Sequence, residues 1–201
     1  MVLARISALQ SAFAPPAPPA PKQIAAGAKG GSFAGMLQNA AGPGAVGVAS
    51  PMAPIAGGGK GAAIVAAAAG EVGQAEQPPG SNDSPRIAAY RQATAGSPGP
   101  GPWCAYFASW ACRQAGLPIG ENGQGGGSVD GLYAWAQRVG RAEDASYTPR
   151  PGDLIVWDEH IGVVESVLPD GSIQTIEGNS SDRVSRRTHP KGDALGFIRT
   201  A

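Results

Sequence analysis

Acidic residues are missing from the first 70 positions, where Arg5, Lys22, Lys29 and Lys60 are the only charged side chains. Aromatics are nearly missing there as well, since only Phe13 and Phe33 precede Tyr90. A segment this poor in large rings has little with which to build a core. Cysteine and histidine are scarce, two of each in 201 residues. No CxxC pair and no Cys/His spacing of a metal site exists. No run of about eighteen apolar residues is present, which argues against a membrane-spanning helix. The nearest approach, Gly61 to Gly70, is short and Ala-rich. Formal net charge is zero, which gives no electrostatic reason to expect nucleic acid.

Glycine and proline are abundant, at 31 and 19 residues. Much of this falls early, in APPAPPAPK (Ala14 to Lys22), GAKGGS, AGPGAVG and AGGGKG. Such stretches favour extended or flexible chain. Residues 1–62 therefore read as a disordered Ala/Pro/Gly-rich tail. Two short islands interrupt it, Val2 to Phe13 and Ser32 to Ala40, each with apolar residues at helical spacing. They are either stray apolar residues or a docking or export segment. The N-terminus does not read as a Sec signal, because Ser and Gln break its apolar run and Pro15 follows soon after.

Residues 63–201 carry all 15 acidic side chains and all four Trp. They read as one folded domain. Helices are expected at Ala63 to Gln74, Pro85 to Ala93, Trp103 to Ala115 and Val129 to Val139. The third has Pro102 at its start and Gly116 and Pro118 at its end. The fourth has Ser128 as N-cap and Gly140 as terminator. Strands are expected at Leu154 to Trp157, His160 to Val167, Ile173 to Glu177 and Leu195 to Arg199. Pro169-Asp170-Gly171 forms a hairpin turn. Helices followed by an antiparallel meander give an α+β fold, with about four to six strands.

Cys104 and Cys112 lie eight residues apart on one expected helix, so their Cα atoms are roughly 12 Å apart. That separation forbids a disulfide between them. Cys112 falls deep in the helix, beside the Trp110 face, and reads as structural. Cys104 falls in the first turn, where free N–H groups and the positive end of the helix dipole favour thiolate. It is either a nucleophile or a second buried thiol. A cysteine nucleophile needs an imidazole and a group to orient that imidazole. His160 opens a strand, and Glu177 and Asn179 lie on or just past the next one. Tyr90 is either an oxyanion donor or a core residue. Trp103 and Trp157 flank the site as possible cleft walls. Arg183, Arg186, Arg187 and Lys191 read as a solvated basic loop or as a contact for substrate carboxylates. His189 reads as a surface loop residue.

The phrases PWCAYFASWACRQAG, PGDLIVWDEHIGVVESV and IQTIEGNSSDRVSRR together resemble the CHAP family, the cysteine, histidine-dependent amidohydrolases and peptidases related to NlpC/P60 and papain-like enzymes. The resemblance covers roughly Ala63 to Ala201. It implies a papain-like fold, with N-terminal helices packed on an antiparallel sheet. Cys104 takes the nucleophile's place, His160 that of the general base, and Glu177 and Asn179 those of the residues that complete the site. The implied substrate is the peptide part of peptidoglycan, cut as an N-acetylmuramoyl-L-alanine amidase or a peptide endopeptidase. Some relatives bind calcium through acidic residues before the cysteine. ATAGSPGPGPW holds none, so no metal and no cofactor is expected. A monomer acting outside the cytoplasm, in the periplasm or cell wall, is the expected form. The N-terminal pattern is similar to the starts of some flagellum-associated wall hydrolases and rod proteins, which implies a secretion or flagellar apparatus as partner. Two alternatives stand beside the hydrolase: an inactive CHAP-fold scaffold attached to a flagellar or phage machine, and a cysteine amidase acting on small amides.

Overall fold

The structure, a computed structural model, describes residues 59–201. Positions 1–58, nearly all of the expected tail, lie outside the described residues. Four α-helices come first, α1 (Lys60–Ala69), α2 (Pro85–Gln92), α3 (Cys104–Gln114) and α4 (Val129–Arg138). Six strands follow, β1 (Ala142–Asp144), β2 (Leu154–Val156), β3 (Ile161–Val167), β4 (Ile173–Glu177), β5 (Ser185–His189) and β6 (Gly196–Ile198). They form one antiparallel sheet in the order β1-β6-β2-β3-β4-β5. The α+β class and the antiparallel meander expected from the sequence are both present.

The helix ends follow their local chemistry. Ser84 caps α2 by accepting from the Ile87 N–H, and Pro85 occupies its first turn. Ser128 caps α4 by accepting from the Gly131 N–H. α1 differs from expectation. It begins at Lys60, three residues inside the segment read as tail, and ends at Ala69, capped by Gly70, instead of at Gln74. Its start is fixed by contact: a Cβ on Gly61 would stand 2.2 Å from the Pro151 carbonyl oxygen, so helix and turn meet backbone to backbone.

Two apolar clusters sandwich the sheet. Leu154, Val156, Ile161, Val163, Ile176 and Ile198 pack on the helical side against α1, α2 and α3. Ile155, Val164, Ile173 and Phe197 point to the other side and form a smaller cluster. Alternation along the strands produces this division. α3 is the centre of the larger cluster, with every residue from Cys104 to Cys112 buried.

β1 and β5 were not expected. β5 (SRRTH) has no apolar residue, and the sequence reads there as a basic loop. It is a strand because β4 offers an open edge, and five residue pairs register along it, from Ile173 with His189 to Glu177 with Ser185.

Candidate active site

Cys104 is the first residue of α3, preceded by Trp103 at φ −126° and ψ 12°. No side chain caps this helix, so its first N–H groups remain open. Cys104 is 5 % exposed, and its Sγ lies 4.0 Å from the Glu159 carbonyl oxygen. Glu159 belongs to the tight turn between β2 and β3, closed by the bond from the Trp157 N–H to the His160 carbonyl at 2.9 Å. That turn delivers His160 to the start of α3.

His160 is held on two sides. Its Nε2 lies 2.9 Å from Glu177 Oε2, and the Cys104 thiol adjoins its ring on the other side. Burial works against the imidazolium, but the neighbouring Cys104 thiol and the bond to Glu177 more than offset it and raise the pKa to about 9. Glu177 itself is buried. Burial alone would favour its neutral form, yet bonds from His160, Thr175 and His189 bring its pKa down to about 2. Thr175 Oγ1 donates to Oε1 at 2.5 Å, and His189 Nε2 stands 2.6 Å from the same oxygen.

Glu177 reaches His160 across β3, which is possible because residue 162 is glycine. A Cβ there would meet Glu177 Cγ at 2.8 Å. Gly178, next along, lies against α3, where a Cβ would meet Phe107 Cβ at 2.6 Å and Trp103 Cζ3 at 2.8 Å. These two glycines let the end of β4 dock tightly on the helix that carries the thiol.

Cys104, His160 and Glu177 are thus brought together. Asn179, in the left-handed region at φ 59°, follows two residues later, but the ring nitrogen of His160 is bonded to Glu177 and not to Asn179. Trp157 is half-buried, with its ring 5.7 Å from that of His160.

Two expected site residues are elsewhere. Tyr90 has no exposed surface, and its hydroxyl donates to Glu71 Oε2 at 2.6 Å. Trp103 also has none, and its indole N–H donates to Glu76 Oε1 at 2.9 Å. Both belong to an aromatic core cluster with Phe107 and Trp110, so neither lines a cleft. Their buried carboxylate partners, Glu71 and Glu76, were not singled out in the sequence. A hydroxyl and an indole N–H removed from water each need an acceptor, and these supply it.

The basic cluster is also reassigned. Arg186 pairs with Glu165, with Nε 2.8 Å from Oε2, and Arg187 donates to Ser180 and Ser181. His189 sits on β5, not in a loop, and contacts the site through Glu177. Two surface concavities, one lined by Gly126, Leu132 and Trp135 and the other by Arg91 and Thr94, hold none of the candidate residues. Among the described residues no cluster of three His, Cys, Asp or Glu side chains has metal-binding geometry, and no helix is long and apolar enough to cross a membrane.

Thiol, imidazole and buried carboxylate in series form an arrangement that can move a proton off sulfur and hold the resulting charge. Residues 96–179 match the family model described as the CHAP domain, so the resemblance stands for the stretch carrying Cys104, His160, Glu177 and Asn179. Comparison with curated proteins and with solved structures finds no match.

Proposed function

We propose that the protein is a peptidoglycan hydrolase that cuts an amide bond of the wall peptide by cysteine catalysis. The observation that carries this reading is His160, held between the Cys104 thiol and the buried Glu177 carboxylate, within a CHAP match. A papain-like scaffold suits it, with the nucleophile on a helix and the base just ahead of a strand of the facing sheet.

Cys104 Sγ attacks the carbonyl carbon. Because Glu177 engages Nε2 of His160, Nδ1 is the nitrogen that takes the thiol proton. The carbonyl oxygen gains negative charge and accepts from the backbone N–H of Cys104 at the uncapped start of α3. His160 then protonates the leaving amine, the C–N bond breaks, and a thioester remains. Water, deprotonated by His160, attacks the thioester, and the C–S bond breaks to release the acid and restore the thiol. Glu177 supports the imidazolium each time it forms. Asn179 contributes to the rim of the site. Trp157 supplies an apolar flank to the substrate peptide.

The site of action is the periplasm or wall, and the N-terminal segment serves export through a secretion or flagellar apparatus. A scaffold reading has less support, because a buried carboxylate paired with two histidines is costly to keep without chemistry to perform. Mass spectrometry of muropeptides after digestion tests the proposal and names the bond. Cleaved stem peptides or freed lactyl groups are expected from the wild-type chain and not from Cys104→Ala. An unchanged muropeptide profile with wild-type protein refutes it.

A further inference from the structure

His189 has no part in the steps above, yet it is built into the site. It stands on the same face of the β4–β5 ladder as Thr175 and Glu177, because Glu177 pairs with Ser185 and Ile173 with His189. Its Nε2 is 2.6 Å from Glu177 Oε1, the oxygen that also accepts from Thr175. The other oxygen, Oε2, is left for His160. The Trp157 ring packs 4.6 Å from the His189 ring and 5.7 Å from that of His160, so one indole covers both imidazoles. The other charged side chains on this edge are bonded elsewhere, although Arg187 shares the face, opposite Thr175. Arg187 donates to Ser180 and Ser181, and Lys191 donates to the Ser146 carbonyl and to Thr148.

A buried carboxylate turns about its last bond unless both oxygens are held firmly, and the rotatable Thr175 hydroxyl, which also stands 3.5 Å from the Arg187 carbonyl, does not by itself hold Oε1 firmly. With two donors on Oε1, Glu177 keeps one orientation, and Oε2 stays directed at His160. We propose that His189 is a positioning residue of this active site: its Nε2–H fixes Oε1 of Glu177 so that Oε2 orients the His160 ring toward Cys104. This rests on the reading of Cys104 as nucleophile and His160 as its base.

Three variants of the full chain test it: His189→Leu, which removes the donor, His189→Gln, whose amide nitrogen reaches the position of Nε2, and His189→Asn, which is one methylene too short. Turnover of muropeptides is measured against pH for each. His189→Leu and His189→Asn are expected to lower kcat about 10- to 100-fold through misorientation of His160. KM stays near the wild-type value, and the alkaline limb of the profile moves to lower pH, which a loss confined to stability would not produce. His189→Gln is expected to return kcat to within about threefold of wild type. If His189→Leu does not fold, the Asn and Gln pair makes the same comparison. Wild-type turnover in both Leu and Asn variants, or a Gln variant as impaired as Asn, overturns the proposal. Cys104→Ala is run alongside. If it is inactive while His189→Leu matches wild type, only the role of His189 is refuted. If Cys104→Ala still digests the wall, the underlying reading falls and this one with it.

Discussion

Two thiols stand on α3, and their surroundings differ in almost every respect. Cys112, in the helix interior, has no exposed surface, and burial pushes its pKa up to about 12. Cys104, at the first position, meets open helix N–H groups, the β2–β3 turn and the imidazole of His160. On the proposed reading, one helix therefore carries a thiol that serves packing and a thiol that serves reaction. The difference arises from position along the helix and from what the sheet delivers to each end, not from the sequence immediately around each cysteine.

The strongest way to break this contrast is to remove the reactive end. Cys104→Ala and His160→Ala should each cut muropeptide turnover by ~10³-fold or more, because nucleophile and base act as a unit. Circular dichroism should report an intact fold in both.

Glu177→Gln comes next. Loss of the charge that supports the imidazolium should lower kcat about 10²- to 10⁴-fold. The wild-type enzyme should lose activity as pH rises past about 9, where His160 gives up its proton, and in Glu177→Gln that limb should move to lower pH. Stability should show the same linkage. The Glu177 pKa lies near 2, below its ordinary 4.5, so its contribution is complete above about 4.5 and is lost as pH falls toward 2. The His160 pKa lies near 9, above its ordinary 6.5, so its contribution is complete below about 6.5 and is lost as pH rises toward 9. The melting-temperature gap between wild type and Glu177→Gln should be widest between those limits.

Gly162→Ala should lower kcat about tenfold, since the added methyl meets Glu177 Cγ at 2.8 Å and displaces the carboxylate from His160. The smallest effect is expected at the packing thiol. Cys112→Ala should cost on the order of 1 kcal/mol in denaturant unfolding and leave kcat near wild type. A large loss of activity there, with stability unchanged, would erase the distinction between the two ends of α3.

What the sequence revealed follows the same division. α3 was legible because Pro102, its apolar face and Gly116 state its limits, and the β2–β3–β4 meander was legible because its strands carry their own apolar residues. β5 was not, since SRRTH forms a strand only by pairing with the β4 edge. His189 was read as a loop residue for that reason, and its contact with Glu177 exists only once the strand is formed. Cys104, His160 and Glu177 could be proposed from residue type and order. Whether Glu177 or Asn179 holds the imidazole could not be, because they lie two residues apart, and only the end of β4 and Gly162 decide which one crosses to the ring. Tyr90 and Trp103 could not be placed because an aromatic near a nucleophile fits a cleft or a core equally well. Their buried carboxylate partners, Glu71 and Glu76, are well separated from them in sequence.

The central claim is that His160 makes Cys104, and not Cys112, the reactive thiol. Iodoacetamide labelling of the native full chain, followed by peptide mass spectrometry, measures both alkylation rates in one experiment. Cys104 should be labelled much faster than Cys112, and its rate at neutral pH should fall in His160→Ala. Faster labelling of Cys112, or a Cys104 rate indifferent to the loss of His160, would contradict the account.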